Sequence, residues 1–421
     1  MQLKDIFRSL VIPLLISGCV SRQSIHEDIF IDAKYGNDKN PGTFRKPIKT
    51  ISELNMRLAE KPSNVYFSGN QTYEGCLVLN NINGTEERPF RITSPGRKRA
   101  RIDGGNSEAI IMNGCGFVIV SDLLLKGNGR KDGSTTNGLS VRNSTDCRLM
   151  NLRAEGFQKS GVDLYNCRNI EVRSVKAFNN GFSGINVMGS SRDSSRNIII
   201  IACTAENNPG DPTKLDNHSG NGILVGMSDS VVIERCIATE NGWDMPRTGN
   251  GPVGIWSWES SHVKILYCIS YNNKTSKNAK DGGGFDLDGG VSNSVIQYCI
   301  SFGNEGAGYG LFQYSGASPW HDNKISYCLS LRDATTTEGA GSVFVWNGSD
   351  DPGQLTNCEI IHNLIINSRK PLVSYENASK HKDFTFARNL FIGPHRIAGS
   401  DSGSVFRKNV WLGGGKSKRN N

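Results

Sequence analysis

Five cysteines recur at nearly constant intervals in the middle of this 421-residue chain, each closing a near copy of one short segment. The copies read Asn197-Ile-Ile-Ile-Ile-Ala-Cys203, Val231-Val-Ile-Glu-Arg-Cys236, Val263-Lys-Ile-Leu-Tyr-Cys268, Ser294-Val-Ile-Gln-Tyr-Cys299 and Asn323-Lys-Ile-Ser-Tyr-Cys328, with spacings of 33, 32, 31 and 29. Each continues through a turn holding Asn208, Asn241, Asn273 or Asn304. A loop of variable length then leads to a strand that opens with glycine: Gly222, Gly254, Gly284 and Gly310. Shorter copies begin at Gly138, Gly161 and Gly184. A unit of two or three short strands cannot bury its own apolar face, so it must stack on its neighbours as a solenoid.

The period and the asparagine turns predict an all-β, right-handed parallel β-helix of about ten coils, a rod about 50 Å long at ~4.8 Å per coil. Residues 29–411 are assigned to it, with regular coils over 115–350 and an N-terminal cap over 29–60. The cap reads as a strand, Ile29-Phe-Ile-Asp32, then a helical stretch from Ile48 to Ala59 that closes the open end. A thin coil needs little core, which fits a chain only 37% hydrophobic with 48 glycines. The same figures exclude a membrane-spanning bundle and a coiled coil, and the regular alternation excludes a disordered chain. The cysteines share one register position, so they are expected to stack inside as small apolar residues rather than as disulfides or zinc ligands.

Lys4 and Arg8 precede an apolar run from Leu10 to Ile16, which ends Ser17-Gly18-Cys19. This reads as a signal peptide over 1–18, and the residues before Cys19 resemble a bacterial lipobox. Cys19 is therefore the expected lipidation site, with a linker over 19–28 and a polar tail over 412–421. The expectation is an exported protein held to a bacterial membrane by its lipid alone, and a monomer. The net charge of +8 permits an anionic partner. No motif suggests nucleic acid.

The outward faces carry the chemistry. Alternate residues of a strand point to opposite sides, so with Ile255 and Phe285 inward, the outward pairs are Trp256/Trp258 and Asp286/Asp288. Aligning coils on the leading glycine sets Phe312/Tyr314 above the aspartates and Phe344/Trp346 above those. Sugar rings present apolar C–H faces to aromatics, and carboxylates supply acid/base chemistry. Trp256, Trp258, Phe312, Tyr314, Trp346 and Arg247 are the expected subsites for a polysaccharide or oligosaccharide, anionic ones included. Alternatively, the loops at 209–219, 243–252 and 272–283 cover the aromatics as a satellite core, and the aspartates serve a turn or a structural cation.

Asp286 and Asp288 lie two positions apart, with Cα atoms ~6.5–7 Å apart. Side-chain rotation spans the carboxyl separations of both retaining and inverting glycoside hydrolysis. Like charge raises one pKa and suits it as the acid. Glu259 is a third candidate. The first reading is thus a glycoside hydrolase using Asp286, Asp288 and Glu259, with no cofactor.

The cap and coil pattern resembles parallel β-helix carbohydrate-active proteins of the pectate-lyase-like superfamily. That resemblance implies a second reading, a polysaccharide lyase in which Asp281, Asp286 and Asp288 hold Ca²⁺ and a lysine or arginine takes the α-proton. In those lyases a lysine follows the acidic cluster in a neighbouring coil. Here the stretch Gly306-Ala-Gly-Tyr-Gly-Leu-Phe-Gln-Tyr314 has none, leaving Lys280 and Arg247 in adjoining loops. The Gly-His-Gly and Arg-x-Lys motifs of polygalacturonases are absent. A third reading is a non-catalytic glycan-binding surface protein. His218 and His321 read as isolated loop residues.

Overall fold

The computed structural model describes residues 27–413 apart from 278, 377–379 and 402. The signal peptide, Cys19 and all but the start of the polar tail lie outside the described residues. Among those described, no helix is long and apolar enough to cross a membrane.

Three parallel sheets form the rod, here called I, II and III in the order the chain meets them in each coil. They contain 14, 13 and 12 strands respectively. The rod is therefore longer than the ten coils expected, roughly 60 Å at ~4.8 Å per coil. The difference lies at both ends. Coiling begins before the cysteine repeat, at Asn64–Phe67, and strands of sheets I and II persist to Ser404–Arg407 and Val410–Leu412. Phenylalanines hold the core where the cysteine pattern has gone: Phe386 stacks on Phe406 at 4.7 Å, and Phe391 on Trp411 at 4.1 Å.

At the other end the helix Ile51–Glu60 covers the first coil. Thr50 accepts from the Glu53 N–H, and Glu53 pairs with Arg57 one turn on at 2.7 Å. Ile51, Leu54 and Leu58 turn into the core with Leu77.

Two columns of stacked side chains hold the coils in register. At the turn from sheet I to sheet II, the backbone N–H of Cys203, Cys236, Cys268 and Cys299 each donates to the next coil's sulfur at 3.4 Å. All the described cysteines are free. Beyond Cys328 the same column continues as Asn363 and Asn389.

At the turn from sheet II to sheet III, buried asparagines form a ladder. Asn208 donates to Asn241 (2.8 Å), Asn241 to Asn273 (2.8 Å), Asn273 to Asn304 (3.0 Å) and Asn304 to Asp333 (2.8 Å). Asp333 ends this run as a buried acceptor, its pKa raised to about 6 by burial. The ladder explains the leading glycines. A Cβ on Gly284 would stand 2.3 Å from Ser301 Oγ and 2.9 Å from Asn304 Nδ2, so only glycine lets the ladder and the next strand pass.

The same test corrects one alignment. Gly308, not Gly310, faces the Asp333 rung, with Ser330 Oγ 2.6 Å from its would-be Cβ. Strand pairing agrees: Phe285 pairs with Tyr309, Asp286 with Gly310 and Leu287 with Leu311. The error is two residues, so inside and outside were assigned correctly while the vertical neighbours were not.

Asn241 accepts from the backbone and side chain of Asn208 and donates to Asn273 and Ala205. Asn241→Ala strands several buried groups at once, and we expect it to cost about 3 kcal/mol in urea unfolding. A loss below about 0.5 kcal/mol would show that the ladder is not structural.

Candidate functional site

The outward face of sheet III passes beneath the long loops that leave the asparagine turns. These loops interlock. Arg247 Nη1 donates to the Asp216 carbonyl (2.8 Å), Ser276 Oγ to the Arg247 carbonyl (3.0 Å), and Gly251 N–H to Asp281 Oδ2 (2.7 Å). Thr337 Oγ1 donates to the Asp281 carbonyl at 2.8 Å, tying down the next loop along the rod. Arg247 is thus a strut between loops, although its charge reaches Asp281.

Trp256 lies under these loops and is only 3% exposed. Its Nε1 donates to Asn221 Oδ1 at 3.1 Å, and its ring meets His218 edge-on at 4.7 Å, with Leu224 and Val253 alongside. This is the satellite core, so Trp256 is not an open platform. His218 lies in a loop as expected, but is buried against Trp256 and Asn221. Burial, helped by Arg247 and Lys214, lowers its pKa to about 4. The four-residue stretch His218-Ser-Gly-Asn221 carried no motif that would have exposed this role.

Asp286 pairs with Trp256 on one side and Gly310 on the other. A Cβ on Gly310 would sit 2.7 Å from the Phe312 ring and 3.0 Å from Asp286 Oδ1. Only glycine lets that ring fold back over the carboxyl. Phe312 thus stands over the column of Asp286, and its own strand pairing is with Trp346. It meets Phe344 edge-on at 5.3 Å and Trp346 at 6.4 Å.

Asp286, 3% exposed, lines a small, partly closed cavity of about 10 Å³ with Asp281, Val253, Phe312, Thr337 and Phe344. Its Oδ1 has no partner. Burial, then the charges of Asp288 and Asp281, push its pKa well above the carboxylate range. Burial likewise raises Asp281 to about 6.

Asp288 is more open. Its Oδ1 accepts its neighbour Gly289's N–H at 2.7 Å, and burial, with Asp281 and Glu259 adding charge, raises its pKa to about 7. Trp258, one coil below, is partly exposed and lies over Gly226 beside Met188. Tyr314 packs over Gly289, and its pKa is raised by burial and then by Glu259 and Asp288. Asp288, Trp258, Phe312 and Tyr314 therefore share one partly open patch.

Glu259 is 7% exposed and has a left-handed backbone with φ of 44°. It accepts from Arg192 Nη1 at 3.1 Å and Ser318 N–H at 2.8 Å, while Arg192 also donates to the Gly290 carbonyl. This ties four coils together and leaves Glu259 a structural anchor beside the patch. Arg192, in an unremarkable loop, gave no sequence signal.

Among the described residues no three His, Cys, Asp or Glu side chains converge as metal ligands. No lysine or arginine stands above the aspartates, where the corrected register places Gly310 and Phe344.

A sequence-family model described as "Pel9A-like, right handed beta helix region" matches residues 29–329. The chain belongs to this Pel9A-like right-handed β-helix family. No curated protein matches the sequence. Among solved structures it is similar to a GH136 lacto-N-biosidase from Eubacterium ramulus, at 15% identity, covering 92% of this chain and 68% of that one, with a TM-score of 0.51. It is also similar to the A-module of the Azotobacter vinelandii mannuronan C-5 epimerase AlgE6, at 16% identity, 86% and 94% coverage and a TM-score of 0.62. At these identities the likeness is one of fold.

A carboxyl held above its unfolded pKa contributes full stability below about pH 4 and loses it as pH rises to about 7. Buried neutral His218 acts oppositely, since its stability falls as pH drops from about 6.5 towards 4. Asp288→Asn removes the first effect and keeps the second. The urea midpoint of Asp288→Asn should therefore gain on that of the parent between about pH 5 and 8, and parallel curves would refute the raised pKa of Asp288.

Proposed function

We propose that the protein is an exported, lipid-anchored glycoside hydrolase that cleaves a polysaccharide or oligosaccharide, with Asp288 as its general acid. The observation that carries this reading is the partly exposed Asp288 carboxyl on the outward face of sheet III, whose burial and acidic neighbours raise its pKa to about 7. It shares its patch with Trp258, Phe312 and Tyr314. A sugar stacked on these rings would bring a glycosidic oxygen to a carboxyl still substantially protonated at neutral pH. Hydrolysis also needs a second carboxylate. Asp286, on the same strand face, keeps its proton while Phe312 covers it, and takes that role only when substrate lifts the ring off Gly310 and admits water, which lowers its pKa. The lyase reading loses support because the patch has neither a cationic base nor a converging ligand set.

The enclosure of Asp286 favours a second reading, non-catalytic glycan binding. A panel of plant, algal and host glycans, incubated with the purified protein, separates the readings. New reducing ends without the ultraviolet absorbance of unsaturated uronates support hydrolysis; both signals mean a lyase; binding with neither means a lectin-like protein. For hydrolysis we expect Asp288→Asn and Asp286→Asn each to lower kcat by at least about a hundredfold. Full turnover by Asp288→Asn would overturn the assignment. Trp258→Ala should chiefly raise KM.

A further inference from the structure

Sheet II changes character halfway along the rod. Each of its strands presents two outward positions. In the first six strands every pair includes a charged side chain: Glu74, Arg101, Lys126, Arg153, Lys176 and Glu206 mark them in turn. From Ile237–Thr239 to Val410–Leu412, seven strands in succession carry none. Thr239 is the one residue there that is not Ile, Leu, Val, Phe or Tyr. The inner positions of both halves are alike, Ala, Ser or another apolar residue, so the core does not require the change.

Beside this face, at the turn from sheet I, the rings of Tyr267, Tyr298 and Tyr327 form a stack. Their centroids lie 4.9 and 5.3 Å apart, and each ring is 43–49% exposed. Arg235 lies over the Tyr267 ring at 5.7 Å and His362 stacks on Tyr327 at 5.0 Å, while most outward residues of the seven strands are partly exposed. Ile300, Val410 and Leu412 are 37%, 52% and 49% exposed.

We infer that this apolar face of sheet II is a homodimer interface, with two copies packed face to face and antiparallel. Seven strands at ~4.8 Å and a width of about 15 Å give a footprint on the order of 450 Å². Side chains stand proud of a sheet, so a pair would bury about 1,000–1,200 Å², the lower bound for a stable interface. A continuous patch of this size is on the scale of the largest apolar patches on soluble proteins, which are often functional.

The taper sets the orientation. Bulky Tyr271 and Phe302 stand at one end and slimmer Leu390 and Val410 at the other. A two-fold axis near Leu329–Leu331, the central strand, lays the aromatic end of one copy on the aliphatic end of the next. A sugar is a poor occupant. Tyr271 and Phe302 stack on one another at 4.6 Å and 8°, so they turn ring edges rather than faces outward. This interface replaces the monomer expected from sequence, and it stands independently of any catalytic role.

Sedimentation equilibrium of the full chain should give a dimer of 46.0 kDa subunits. L331K combined with L364K should weaken the dimer at least about tenfold with circular dichroism unchanged. Should that variant misfold, L331C supplies a second arm. Close to the axis it should form an intermolecular disulfide under mild oxidant, while E74C on the charged half should not. A protein monomeric at all concentrations, with no L331C crosslink, overturns the proposal. So does a monomer that instead binds phosphatidylcholine vesicles containing some phosphatidylglycerol through this face.

Discussion

Everything in this rod depends on residues one coil apart being equivalent and about 4.8 Å from each other. A side chain that can bond to its own copy therefore gains a partner above and below. Asparagine does this best, because its amide both donates and accepts. The ladder from Asn180 through Asn304 is that solution at the turn where the chain leaves sheet II. It satisfies buried polar groups while forcing glycine on the strand that follows. The chain can then depart into loops of any length and return in register, and those loops are what enclose the candidate site.

The cysteine column solves a related problem with less specificity. A thiol accepts the backbone N–H of the preceding coil and donates to a carbonyl two residues back, as Cys236 does to Glu234 at 3.3 Å. Its small volume suits a tight corner. That Asn363 and Asn389 take over the same column shows the position selects for a short side chain able to hydrogen-bond along the axis. A disulfide between two rungs would instead remove the S–H donor that each thiol uses along the column.

Much of this was legible in the sequence, and the part that was not has a physical reason. Period-2 alternation settled which side of sheet III faces out, and Asp286, Asp288 and Trp258 lie on that side. Vertical alignment failed at Gly308-Tyr-Gly310, where two glycines two residues apart satisfy the same pattern; only the ladder's demand for space selects Gly308. Burial was the larger omission. Trp256 and Asp286 point outward from the coil and are nonetheless covered, because the loops above them are long enough to fold back. Nothing in local periodicity reports where a loop comes to rest. Glu259 followed Trp258 in a plausible site position, yet its role came from Arg192, 67 residues earlier.

A solenoid separates folding from function more sharply than a globular domain does. Inward positions answer to the column they stack in, and the turns to their ladders. The outward positions are constrained by neither. Two changes along the rod are therefore informative: acids and aromatics gather on sheet III, and charge vanishes from the outward face of sheet II. The enclosure of Asp286 belongs with them. Leaving a carboxyl oxygen unpaired in a cavity of about 10 Å³ costs stability, and the coils above and below could stack without it. Burial and the charges of Asp281 and Glu259 hold the Asp288 proton near neutrality, and the more deeply covered Asp286 holds its own more tightly, so covering one carboxyl more than the other sets the protonation of the pair apart.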